Sequence, residues 1–110
     1  MGRFITTTGT ASVVTVEANS NYSAEVNDRI LCDSSSAGFT VTLPPNASLI
    51  EGDQIQIIDV AGAFATYNVI VGRNGSLING AGDDLTIDVN GAIVTLIYSG
   101  STYGWIVGAV

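Results

Sequence analysis

The chain contains no lysine and no histidine, and its only basic residues are Arg3, Arg29 and Arg73. That scarcity argues against nucleic acid as a partner, because non-specific affinity comes from Lys and Arg neutralising phosphates. Anionic membrane surfaces are disfavoured for the same reason. Without an imidazole, acid–base catalysis would fall to carboxylates with environment-split pKa values. One cysteine and no histidine set zinc aside. Cys32 is alone, so no internal disulfide forms. Flanked by Ile30 and Leu31, with no base to activate it, it reads as a small core hydrophobe. No apolar run is long enough for a signal peptide or a membrane span. Met1 to Thr6 matches the N-myristoylation pattern, and sequons begin at Asn21, Asn46 and Asn74. Both patterns are short enough to arise by chance in a chain this rich in Asn and Ser.

Charge is scarce altogether. Charged residues make up 12% of the chain, against about 25% in ordinary soluble domains. The formal net charge is −7, and 46% of residues are hydrophobic. Such a surface becomes sticky unless Thr, Ser, Asn and Gly keep it wet or other subunits cover it. We expect the second, with a basic groove on another protein as one surface that would suit the charge. The 110 residues fit one domain with a real core.

What is present is strand after strand, each cut by Gly, Asn, Asp or Ser. Phe39, Val41 and Leu43 alternate with Thr40 and Thr42 until Pro44-Pro45 stops the run. Gln54 to Val60 alternates again, with Ile55 and Ile57 inward. Asn68 to Gly75 joins a strand-like run to Arg73-Asn74-Gly75, and Asn-Gly is a strong signal for a tight hairpin turn. A second pair, Asn90-Gly91, predicts a direct hairpin between Leu85–Val89 and Ala92–Ser99. Asp53 follows a turn after Gly52. The chain ends on Trp105 to Val110 without a charge or a hydroxyl, which predicts a paired strand or an interface. No helical period appears, and no repeat of 20–50 residues argues a solenoid. These features predict an all-β fold, an antiparallel β-sandwich or small jelly-roll-like barrel of about eight or nine strands. Residues 1–20 are expected as an extended arm, and 21–110 as a single β-sandwich domain.

Candidate chemistry is thin. Asp83-Asp84 is the one adjacent acidic pair, and neighbours on a strand face opposite ways. With Asn79 they offer oxygen ligands for calcium, but no known loop pattern is present. Gly72 to Gly75 is too short for a phosphate loop. Tyr67, Tyr98, Tyr103 and Trp105 offer rings on which a sugar could stack, although a Trp in an apolar strand is more often core. We therefore expect no enzyme, no catalytic residue, no metal and no cofactor. Interface candidates are Phe4, Ile5, Val13, Val14, Trp105 and Val110. Asp53, Arg73, Asn74, Gly75, Asn90 and Gly91 are turn residues.

Asp28-Arg29-Ile30, Phe39 to Pro44, Gly52-Asp53, Ile57, Asp59, Phe64, Asn68 and Val71 form one pattern with Arg73-Asn74-Gly75, Ile78, Gly80, Asp84-Leu85, Tyr98 and Gly104-Trp105. Over residues 22–107 this pattern resembles a β-rich domain of virion structural proteins of tailed bacteriophages, notably those of cyanobacteria. The resemblance implies a phage structural protein assembled in the host cytoplasm. Standing almost alone behind a short leader, such a module suits a capsid decoration (cement) protein on the capsid surface of the virion. Its expected partners are itself, as a homotrimer, and the major capsid protein. The alternative is a tail-fibre or receptor-binding module recognising host surface glycan.

Overall fold

The computed structural model describes residues 12–109. Among them are nine strands and one short 3-10 turn, Asn46–Ser48. The strands are β1 (Val14–Ala18), β2 (Tyr22–Ser23), β3 (Asp28–Cys32), β4 (Phe39–Thr42), β5 (Gln54–Asp59), β6 (Val69–Gly72), β7 (Leu85–Ile87), β8 (Ile93–Tyr98) and β9 (Trp105–Ala109). They make a five-stranded sheet in the order β1-β3-β5-β8-β9 and a four-stranded sheet in the order β2-β4-β6-β7. The fold is all-β, as the alternation predicts.

Strand direction departs from expectation. Of the seven pairings, β1–β3, β2–β4, β3–β5 and β4–β6 are parallel. Only β5–β8, β6–β7 and β8–β9 are antiparallel. The cause is the connectivity. From β1 to β6 the chain crosses to the other sheet after every strand, so each return to a sheet runs in the same direction. The first six strands therefore wind as three turns of a flattened coil, and β7 to β9 fold back antiparallel. Neither sheet closes on itself, so a closed barrel is not formed. Winding of this kind usually betrays itself by a sequence period. Here Val14 aligns with Asp28, 14 residues on, whereas Arg29 aligns with Gln56, 27 residues on. In the other sheet the offsets are 19 residues (Tyr22 to Val41) and 30 (Phe39 to Val69). Unequal turns erase the period.

Alternation places the core. Ile30, Ile57 and Val94 lie opposite one another across three strands, all buried. Phe39, Val69 and Ile87 do the same in the four-stranded sheet. Both rows belong to one hydrophobic cluster, together with Leu43, Phe64, Leu96 and Trp105. After β4, Leu43 still donates its N–H to Gly72 O (2.8 Å), and Pro44-Pro45 then ends the ladder.

The two hairpin expectations are corrected. Asn74 (φ 49°) and Gly75 (φ 94°) do form a tight turn, closed by Ser76 N–H donating to Arg73 O at 3.1 Å. That turn opens a long loop, however, and β6 meets its partner β7 only at Leu85. At Asn90-Gly91 only the glycine has positive φ (75°), and the turn is a corner from β7 in one sheet to β8 in the other. The described part of the expected arm at 1–20 is extended. Val14–Ala18 is an edge strand of the larger sheet, and the start of the arm lies outside the described residues.

Gly104 marks the closest backbone approach. Its φ is 71°, and a Cβ there would run into the backbone of Leu77, whose carbonyl accepts from Trp105 N–H at 2.8 Å. Gly62 shares the positive φ (65°) but faces open space. Gly62→Ala should therefore cost about 1 kcal/mol from backbone strain alone. Gly104→Ala should cost about 3 kcal/mol or more, since strain and overlap add. Chemical denaturation of both variants separates the two terms, and equal losses would remove the packing argument at Gly104.

Candidate functional site

Three surfaces and one buried clamp bring together residues with a choice of role. The outer face of the five-stranded sheet carries the first surface. Leu31, Ile58 and Ile93 lie side by side across β3, β5 and β8, with Glu17 beside Leu31 at the edge. Two residues further along the strands runs a polar row, Thr15, Arg29, Gln56 and Thr95. Its side chains are linked: Arg29 Nε donates to Gln56 Oε1 at 3.1 Å, and Gln56 Nε2 to Thr95 Oγ1 at 3.2 Å. Beyond it Ile97 (45% exposed) sits opposite Ile106 (43% exposed). Two isoleucine-rich stripes, roughly 13–14 Å apart at the rise of a strand, thus flank a hydrogen-bonded polar ladder.

The second surface is the outer face of the smaller sheet, where Ser23, Thr40, Thr42, Gly72 and Thr86 surround Ile70. Hydroxyls keep that face wet. The third is an apolar cleft of about 340 Å³ between β7 and β8–β9, lined by Ile87, Val89, Ala92, Val94 and Val107 among others.

The sheet edges differ as well. Asn79 Oδ1 accepts from Val107 N–H at 3.1 Å, and Asn79 N–H donates to Trp105 O at 2.7 Å, so a loop covers the first half of β9. At the start of β1, Val14 and the preceding Val13 are about half exposed, and no described strand pairs with the outer side of β1. Such an edge is a template for another chain.

Of the interface candidates, Phe4, Ile5 and Val110 lie outside the described residues. Val13 and Val14 are exposed at the β1 edge. Trp105 is corrected: its ring is fully buried, edge-on to Tyr98 with centroids 5.5 Å apart, so no partner or sugar reaches it. The exposed rings are Tyr67 and Tyr103. The turn residues hold loops together. Asp53 Oδ2 accepts from Ile50 N–H (2.8 Å), and Asn74 Nδ2 donates to Leu43 O (2.9 Å). Arg73 donates its own N–H to Asp84 Oδ1 (3.0 Å) and Nη1 to Ser76 O (3.1 Å). Asp83 and Asp84 are both exposed. Among the described residues, no group of three or more His, Cys, Asp and Glu side chains gathers as a metal site.

The clamp is Asp59, which reasoning from residue types and spacing passed over. Its carboxylate accepts from Ala63 N–H (3.2 Å), Phe64 N–H (3.1 Å) and Gly91 N–H (2.9 Å). Asn90 completes the corner by accepting from Ala65 N–H at 2.8 Å. Burial pushes the Asp59 carboxyl up, but the N–H groups of Gly91, Phe64, Ala63 and Gly62 outweigh it and hold it below 3.8. The available signal was an Asp ending a strand before a glycine-containing loop, where a side chain must satisfy backbone donors. Beside it, burial and then the Asp59 charge push the Cys32 thiol up to about 12. Burial, and then its hydrogen bond to Asp28 Oδ2 (2.7 Å), raise Tyr22 to about 12.

Among known proteins, no family model and no curated sequence matches the chain.

Because the native Asp59 carboxyl ionises more readily than an unfolded one, its stabilisation is present above about pH 4 and lost as pH falls through the depressed value. Asp59→Asn should lower stability at neutral pH by about 2–4 kcal/mol and flatten the acid limb of stability against pH. Wild-type and variant limbs of equal steepness would deny Asp59 this role. Cys32 and Tyr22 act in the opposite sense, with full effect below their ordinary values of 9.0 and 10.0 and loss as pH rises toward about 12. The Cys32 thiol should stay inert to a chromogenic thiol reagent in the native state and react at the unfolding rate. Rapid labelling without unfolding would contradict its burial.

Proposed function

We propose that this chain is a structural subunit that works by covering a larger assembly, with the striped outer face of the five-stranded sheet as its contact surface. The observation that carries the reading is the pairing of Ile97 with Ile106 and of Ile58 with Ile93 on a solvent-facing sheet. In so charge-poor a chain, covering that area removes apolar surface from water at roughly 25 cal/mol per Å². The polar ladder between the stripes supplies register, since a partner has to match its donors and acceptors. The outer edge of β1, which no described strand pairs, adds a route for main-chain pairing. Together with the residue pattern noted in the sequence, these features favour a phage capsid decoration protein, a homotrimer seated on the major capsid protein at the virion surface. In the finer architecture that accompanies this reading, the two sheets stack as a β-sandwich. A tail module gripping host glycan would have to use Tyr67 and Tyr103, as Trp105 is inside.

The test is direct. Wild type should sediment as a trimer and coat phage heads in many copies. Ile97→Lys with Ile106→Lys should leave the fold intact, because both side chains are exposed. It should weaken association by about 100-fold or more, the equivalent of two isoleucines kept in water. A wild-type chain that stays monomeric at high concentration and ignores phage heads would end this reading. Val14–Ala18 belongs to the sheet, so a truncation probing the arm has to stop at residue 11. The shortened chain is expected to fold and to lose coating.

A further inference from the structure

Three Asn-Gly pairs, Asn74-Gly75, Asn79-Gly80 and Asn90-Gly91, all lie exposed in the second half of the chain. Such pairs are chemically labile, because glycine has no side chain to keep its backbone nitrogen away from the neighbouring carboxamide. The fold treats the three differently. Gly80 N–H donates to Tyr103 O at 2.8 Å, and Asn79 is held at both its N–H and its Oδ1 by β9. Gly91 N–H donates to the Asp59 carboxylate at 2.9 Å, where a negative charge opposes loss of the proton, and Asn90 Oδ1 is held by Ala65 N–H. Gly75 N–H has no partner among the described residues. Its carbonyl accepts only a long bond from Asn46 Nδ2 (3.3 Å), and Asn74 is tied through Nδ2 to Leu43 O (2.9 Å). Charge of both signs flanks this turn, the Arg73 guanidinium on Ser76 O (3.1 Å) and the Asp84 carboxylate on Arg73 N–H (3.0 Å), but neither engages Gly75 N–H.

We propose that Asn74 is a built-in site of spontaneous deamidation, with water as the only reagent, and that the fold shields Asn79 and Asn90. In the step, Gly75 N loses its proton to solvent base and bonds to Asn74 Cγ. Nδ2 leaves as ammonia, and a five-membered succinimide forms. Water then adds to one of its two carbonyls. Opening at Cγ gives aspartate, and opening at the backbone carbonyl gives isoaspartate. The net change is Asn plus water to Asp or isoAsp plus ammonia, with no oxidation or reduction. To reach the reactive geometry the Arg73–Ser76 turn and the Leu43 bond have to give, but the attacking Gly75 nitrogen has no described acceptor of its own to leave. At Asn79 the start of β9 would have to detach, and at Asn90 the Asp59 corner. The nucleophilic nitrogen is therefore unbonded at Asn74-Gly75 and tied down at the other two pairs, where an opening must come first. The product places one further negative charge on a chain of net charge −7 and removes the donor to Leu43 O.

The experiment ages the purified full chain in mildly alkaline buffer, folded and in denaturant, and maps the products. Arg73 is the last basic residue, so trypsin leaves all three pairs in one peptide, 74–110, and fragment ions locate the converted residue. In the folded chain Asn74 should convert at least about tenfold faster than Asn79 or Asn90, the ratio set by the Gly80 and Gly91 N–H bonds that must break before those nitrogens can attack. In denaturant the three should convert at similar rates. Equal or faster conversion of Asn79 or Asn90 in the folded chain overturns the proposal. So does a folded Asn74 that stays intact after the denatured chain has reacted.

Discussion

The Asp59 carboxylate stands where the winding of the chain changes sense. It closes β5, the last strand of the coil in the larger sheet, and reaches both the loop that carries Phe64 inward and the corner that starts β8. Phe64 is fully buried although it lies outside any strand, so its backbone needs partners other than a ladder. A single carboxylate supplies acceptors to three such donors at once. Its backbone N–H also donates to Ala92 O at 2.9 Å, which ties the same corner a second time. The parallel coil and the antiparallel return share one core because this junction is satisfied.

Strands were legible in the sequence and their connections were not. Phe39 to Leu43 and Gln54 to Val60 announce themselves by alternation, since one face of each is buried. The positive-φ turn at Asn74-Gly75 was equally plain. Direction escaped because alternation is identical in parallel and antiparallel strands. The winding escaped because successive turns differ in length by a dozen residues or so, as between Val14–Asp28 and Arg29–Gln56. Trp105 shows the remaining limit. Its apolar neighbours suit core and interface alike, and only the edge-on packing against Tyr98 decides between them.

The two outer faces explain how a chain with so few charges divides its labour. Threonine and serine on the smaller sheet give water hydroxyls to bind, and threonine keeps the β-branched shape that strands favour. On the larger sheet the same positions carry isoleucine, interrupted by the Arg29–Gln56–Thr95 ladder. Both surfaces are faces of β-sheet, so the contrast lies in the side chains they present.

The outer edge of β1, which no described strand covers, has a bearing on size. A closed barrel counts its strands, but a coil whose first described strand lies at a sheet edge carries no such count. Another turn laid ahead of Val14 would meet amides and carbonyls already spaced to receive it. Modules of this build are extensible by accretion, lengthening along one axis while the finished core behind them stays as it is.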